Sequence, residues 1–257
     1  MVVSDPWRCR VTPGTLNKYE ITKYIEDTIP NFHQRRLESL LALNLKKVLQ
    51  RKNPYLFRAK NINTASELVK GILDAYLSSQ EETIFGGFLE GLAIFICSKV
   101  YGGWKSSAEG IDLEFDKDGT RYIVTIKSGP NWGNSGQISK MKENFRKARR
   151  ILRTSAGVTN VEAVNGCCYG RENSPEKGEY LKLCGECFWT FISGRTSLYM
   201  DIIKPLGNRA KEKNEEFLME YGKAVNRFVR QFIDEFCSED GLILWDKLLK
   251  FNSSATA

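Results

Sequence analysis

The chain of 257 residues holds a single histidine, His33. Catalysis by a histidine pair and histidine-rich metal ligation therefore have no material here. His33 lies in a polar stretch ahead of "RRLES" and is expected at the surface or as a cap. Long apolar runs are also missing. None approaches the roughly 20 residues of a membrane-spanning helix, and the longest candidate is "GLAIFIC". The opening residues, "MVVSDPWRCR", lack the basic-then-apolar order of a secretory signal. The seven cysteines are odd in number and scattered over a long chain. That excludes the dense, even framework of a small secreted protein and leads us to expect a reducing cytoplasm. No internal repeat or low-complexity tract is visible, and the tail "FNSSATA" is expected to fray.

What is present is positive charge. The net charge is +7 and the pI about 9.0. Such a field favours polyanionic partners, nucleic acid or an anionic surface. Residues 15–100 read as mostly helical. "RRLESLLALNLKKVLQRKN" repeats leucine and valine at helical spacing, "NPYLF" breaks the pattern, and "NTASELVKGILDAYLSS" resumes it with Thr64 or Ser66 as cap. "TIFGGFLEGLAIFICSKVY" reads as a further helix. The period then changes to two. "IDLEF" and "RYIVTIK" are expected strands, followed by a helix over 137–153, a strand in "VTNVEAVNGCCYG", and another in "GEYLKLCGECFW" that runs into a helix. A charged amphipathic helix is expected from about Ala210 to Phe236. The order describes an α/β (α+β) fold. We divide it into a helical region (1–83), a core (84–200) and a second helical region (201–257), expected to form one compact domain.

The stretch "GIDLEFDKDGTRYIVTIKSGPNWGNSGQ" carries the chemistry. Asp118-Gly119 is a favoured two-residue hairpin turn, since both positions tolerate positive φ. The ladder this sets pairs Lys117 with Thr120, Phe115 with Tyr122, Leu113 with Val124 and Ile111 with Ile126. On the other face it pairs Glu114 with Ile123 and Asp112 with Thr125. One face is apolar and meets the core. The other presents Asp112, Glu114, Thr125 and Lys127. Two readings fit these residues alone. One is a solvated face with alternating charge. The other is a site where a carboxylate holds a hard cation while an ammonium faces a phosphate.

The surroundings bear on that choice. Ser128, Asn131, Trp132, Asn134, Ser135 and Gln137 follow Lys127 in a glycine-containing loop with groups suited to phosphates and base edges. The next helix bears Lys140, Lys142, Arg146, Lys147, Arg149, Arg150 and Arg153 against one acid, Glu143. Glu90 stands on an otherwise apolar helix, where a carboxylate is costly unless paired or metal-bound. It is either a rim carboxylate or part of a site. Arg171, in the turn-rich loop "YGRENSPEKGEY", is a candidate for reading bases, or a plain solvated side chain. Cys167, Cys168 and the pair Cys184 and Cys187 in "CGEC" raise zinc. A second matching CxxC is missing, however, so buried thiols are the alternative.

From Ile84 to Trp189 the chain resembles the PD-(D/E)XK nuclease superfamily, and within it the type II restriction endonucleases. The segments "GIDLEF", "IVTIKSGPNWGNSGQ" and "AVNGCCYGR" carry the resemblance. It implies a restriction-endonuclease-like core, a central mixed β-sheet flanked by helices. It implies Asp112 as first metal ligand, the Ile126 carbonyl as another, and Lys127 as catalytic lysine. The acid expected two residues before the lysine is absent, and Thr125 stands there. Glu90 is our first choice to replace it and Glu114 the second. The implied reaction is Mg2+-dependent, site-specific hydrolysis of double-stranded DNA, leaving 5′-phosphate ends. A homodimer is implied, with a separately encoded DNA methyltransferase as functional partner in a restriction-modification system, in a prokaryotic cytoplasm. Ser128, Asn131, Trp132, Asn134, Ser135, Gln137, Lys140 and Arg171 are the expected DNA contacts. A catalytically degenerate DNA-binding protein and a repair or structure-specific nuclease of the same superfamily are the alternatives.

Overall fold

A computed structural model describes residues 16–155, 158–208 and 210–255 of the protein. The readings of "MVVSDPWRCR" and of the last two residues of the tail lie outside the described residues. In order, the elements are α1 (Lys18–Leu41), α2 (Leu45–Gln50), α3 (Pro54–Ala59), α4 (Ala65–Tyr101), β1 (Trp104–Lys105), β2 (Leu113–Lys117), β3 (Thr120–Lys127) and α5 (Ser135–Ser155). They continue with β4 (Val161–Cys167), β5 (Leu181–Cys184), α6 (Glu186–Ser193), α7 (Leu198–Asp201), α8 (Ile203–Leu206), α9 (Ala210–Phe236) and α10 (Trp245–Ser253).

The chain divides into two compact units. Among the described residues, one contains 16–29 together with 85–208, and the other contains 30–84 together with 210–255. The first unit carries a five-stranded mixed sheet in the order β1-β2-β3-β4-β5. β1, β2 and β3 are antiparallel neighbours, whereas β3, β4 and β5 run parallel. The hairpin turn has φ of 50° at Asp118 and 75° at Gly119, the double positive φ of the tight turn read from the sequence. Its register is the expected one from Lys117–Thr120 to Leu113–Val124.

Both faces of the sheet are covered. On one, Phe115 stacks on Tyr101 and Tyr122 and meets Phe191 edge-on. On the other, Ile111, Ile123, Val161 and Ala163 pack with Met141, Phe145 and Ala148. Those three lie four and three residues apart, on one stripe of α5. The face expected to present Glu114 and Thr125 openly is therefore roofed by α5, and both residues are buried.

The second unit is helical. Leu45, Val48 and Leu49 of α2, Leu68, Leu73 and neighbours of α4, Phe228, Phe232 and Phe236 of α9, and Leu248 of α10 form its main core. Three helical expectations change. The leucine-rich run is two helices, because the Asn44 side chain accepts a hydrogen bond from the Lys47 N–H and starts α2 anew. The two runs after Thr64 are one helix of 37 residues. Gly86 and Gly87 do not break it. Thr64 caps it, accepting from the Glu67 N–H and donating to the Glu67 carboxylate. The start of the expected frayed tail is helical in α10, where Asn252 donates to the Leu49 carbonyl at 2.8 Å. α4 also contains an 18-residue window of mean hydropathy 1.5, long and apolar enough by composition to cross a membrane. Within the first unit its Leu92, Ala93, Ile96 and Cys97 are fully buried, while 28% of that apolar window as a whole is buried.

Gly166 of β4 lies beside Ile126 of β3, and a methyl group on it would come within 2.2 Å of the Phe188 ring. Gly166→Ala is expected to destabilise by about 1–3 kcal/mol through overpacking, seen as a lower urea midpoint. Gly222→Ala in α9, with nothing within 4 Å of the added carbon, is expected to stabilise by about 0.5–1 kcal/mol.

Candidate active site

The ladder stops two rungs short of expectation. β2 begins at Leu113, so the rungs Asp112–Thr125 and Ile111–Ile126 do not form. Instead the Asp112 N–H donates to the Val124 carbonyl at 2.8 Å, and Asp112 Oδ2 accepts from the Ile126 N–H at 2.7 Å. A side-chain oxygen thus takes the place of a strand carbonyl. This anchors the carboxylate beside the residue that precedes Lys127.

Glu90 reaches the same place from α4. Lys105 of β1 donates to Glu90 Oε1, and its Nζ lies 3.8 Å from Asp112 Oδ1. Burial holds the Asp112 carboxyl above its usual range, and the Glu90 charge adds to that. The Ile126 N–H, Lys127 and Lys105 pull the other way. Asp112, Glu90 and Lys127 therefore share one electrostatic neighbourhood. Lys105 is the member the sequence reading missed, since "GGWKSS" has no pattern that marks a strand only two residues long.

Glu114 is placed elsewhere. Its carboxylate accepts from Ser106 Oγ at 2.6 Å and lies 3.5 Å from Arg121, which also bonds Asp116. A buried carboxylate needs such partners, and here they hold it in a separate structural network.

Thr125 is 1% exposed. Its Oγ1 accepts from Asn165 Nδ2 at 3.2 Å and lies 3.5 Å from Met141 Sδ of α5. Asn165 Oδ1 accepts from Trp132 Nε1 at 3.1 Å, and the Lys127 ammonium sits 5.2 Å from the Trp132 ring centroid. Where the resemblance calls for an acid, this chain has a buried polar chain that ends under the lysine. Asn165 was also missed, although an amide in the buried part of a strand is a readable signal.

Among the expected DNA contacts, Asn134 and Gln137 bond one another. Each side-chain oxygen accepts from the other's N–H at 3.0 Å, a capping box that starts α5. Asn131 and Ser135 are exposed, and Ser128 is half-buried with its carbonyl accepting from the Tyr169 N–H. Arg171 is exposed at a cavity of about 650 Å³ that Tyr169, Glu186 and Cys187 also line. The cationic face of α5 is largely answered by acids from other segments. Lys140 lies near Glu109 and Glu143, Lys142 and Arg146 near Glu179, Lys147 near Glu143, and Arg149 near Glu162.

Among the described residues no group of three or more histidine, cysteine or acidic side chains could hold a metal ion. Cys167, Cys168 and Cys184 are buried and form no disulfide, and Cys187 is exposed. The zinc reading therefore finds no site among them. Two carboxylates meeting at one ammonium are a different donor set, all hard oxygen. That fits Mg2+, which takes one or two carboxylates and keeps several waters.

Folded Asp112 binds its proton more tightly than the unfolded chain does. Its charge therefore weakens the fold as pH rises through and above the carboxylate range. Asp112→Asn keeps an acceptor for the Ile126 N–H and removes the charge. Calorimetry is expected to show little difference from wild type near pH 3.5, with the variant's Tm about 2–4 °C higher at pH 7.

The family model described as type II restriction endonuclease EcoO109I matches residues 19–214, well over half of the chain. No match to a curated protein was found. The match runs through the mixed sheet, through α4 with Glu90, and through the hairpin with Asp112 and Lys127. The chain belongs to the EcoO109I family of type II restriction endonucleases.

Proposed function

We propose that this endonuclease hydrolyses double-stranded DNA at a specific site in a Mg2+-dependent reaction that leaves 5′-phosphate and 3′-hydroxyl ends. The observation that carries the reading is the meeting of Asp112 and Glu90 at one ammonium, with Lys127 beside them. Asp112 and Glu90 would hold the metal. The Ile126 carbonyl would join them, since an extended residue sends its N–H and C=O toward the same neighbouring strand, and this N–H faces Asp112. When bound, the metal supplies charge stabilisation at a phosphoryl oxygen and an acidified water.

The chain's own groups do the rest. Lys127 orients the attacking water and meets charge on the phosphate. Trp132 and Asn165 fix where its ammonium stands. The water oxygen adds to phosphorus, the bond to the 3′ oxygen breaks, and a proton from the water ends on that oxygen. The burial of Asp112 keeps competing solvent away from its anchored oxygen. Arg171 and the exposed Asn131 and Ser135 are the proposed DNA contacts that remain free of the helix cap. A palindromic target would be met by a homodimer. A separate methyltransferase would protect the host DNA, and the enzyme would work in the cytoplasm of a prokaryote.

Thr125 favours a second reading, a DNA-binding protein with a degenerate centre. Digestion of unmethylated phage DNA separates the two. The wild-type protein is expected to give discrete fragments with Mg2+ and none with EDTA. Lys127→Ala is expected to lose at least about 100-fold in rate while retarding DNA on a gel as before. Retardation without cleavage by the wild type under every divalent metal would establish the second reading, and a smear would point to a less specific nuclease.

A further inference from the structure

Lys105 has no part in the roles that the resemblance implies, yet it is the group on which the two acids meet. Its Nζ bonds Glu90 Oε1 and lies 3.8 Å from Asp112 Oδ1. Asp112 Oδ2 is already engaged by the Ile126 N–H, so Oδ1 is the oxygen that Asp112 has to offer. Both carboxylates stand within ion-pair reach of one ammonium, and two partly buried like charges that share a cation lose favourable electrostatics when it leaves. Lys105 is suited to supply one and to withdraw it. β1 is a two-residue edge strand whose register opposite Glu114 and Leu113 fixes the Lys105 backbone. The Lys105 side chain is 57% exposed, whereas those of Glu90 and Asp112 are 29% and 19% exposed. The acids are held and the ammonium has a path to solvent.

We infer that Lys105 is a tethered counter-ion of the metal-free enzyme, occupying the shared oxygens of Glu90 and Asp112 until a divalent cation displaces it. The inference rests on the proposed roles of those two acids. It gives Lys105 a positioning role. The ammonium keeps the carboxylates together before metal arrives, and its departure is a competing cost of metal binding. A divalent ion wins because it carries twice the charge to the same two oxygens. Lys105 is distinct from Lys127, which stands on β3 by the Trp132 ring.

The test is binding of Mn2+ without DNA, followed by the electron paramagnetic resonance of the free ion. Lys105→Met is expected to tighten Mn2+ binding by about three- to tenfold, the factor for removing a charge-assisted, partly exposed competitor. Lys105→Arg keeps the charge and grips carboxylates with a planar fork, and is expected to bind no more tightly than wild type. Asp112→Asn is expected to lose the site. If Asp112→Asn binds Mn2+ as wild type does, the assignment of the acids fails. If Asp112→Asn loses binding while Lys105→Met is unchanged or weaker, the acids stand and displacement of Lys105 is overturned. Circular dichroism melts of each variant confirm the fold, and Lys105→Gln serves as the second neutral variant.

Discussion

The bond from the Ile126 N–H to Asp112 Oδ2, at 2.7 Å, is the constraint on which the centre depends. A strand that continued would spend that N–H on a backbone carbonyl and turn the acid at position 112 into an ordinary face residue. By stopping at Leu113, β2 leaves the donor free, and the aspartate takes it. One carboxylate oxygen is thereby fixed to the sheet edge, one residue from Lys127, and the other is left for a cation. Everything else in the centre is arranged around that second oxygen. Glu90 arrives from α4, and Lys105 arrives from β1.

Charge is organised at two levels. Along the sequence α5 reads as an almost unbroken cationic face, a reading that looked toward phosphate. In the fold Glu109, Glu162 and Glu179 come to it from other segments. Exposed pairs of this kind are weak, about 0–1 kcal/mol each, so they do not hold the fold together. They do lower the local positive potential that a linear window overstates. Arg150 and Arg153 appear in no such pair among the described residues, and the net charge of +7 persists over the whole chain. α5 thus contributes mainly as the roof over Ile123 and Ala163.

What the sequence made legible was local. The hairpin register followed from Asp118-Gly119, because a two-residue turn of double positive φ admits one pairing. The span of α9 followed from its amphipathic period, which continues unbroken across Gly222. The break after Leu41 was hidden because leucine spacing continues across it and only the Asn44 cap interrupts. The polar stretch Ser79–Glu82 misled in the opposite sense, since it interrupts the apolar pattern without ending the helix. At the centre, Asp112 and Lys127 were legible because the hairpin ties them together. Lys105 was not, because what makes it functional is a contact with residues 15 and 7 positions away on other elements. Asn134 and Gln137 were read as ligand contacts from their place in a polar, glycine-containing loop; the capping box they also form depends on the helix that follows.

The departure at Thr125 takes its meaning from burial. The position lies under Met141 and against Asn165, with almost no access to solvent. A carboxylate there would be desolvated and would lack the cation that Glu90 and Asp112 find in Lys105. Threonine instead offers one acceptor, and Asn165 uses it to present its own oxygen to Trp132. A position that loses its acid in this way does not lose its connection to the lysine, because the Trp132 ring faces the Lys127 ammonium. In the proposed centre the negative charge missing from β3 would come from Glu90, whose carboxylate the Lys105 ammonium meets. A carboxylate on α4 that is only 29% exposed is kept there because it shares a cation with Asp112. That shared cation links Glu90 of α4, Lys105 of the two-residue β1 and Asp112 at the early end of β2.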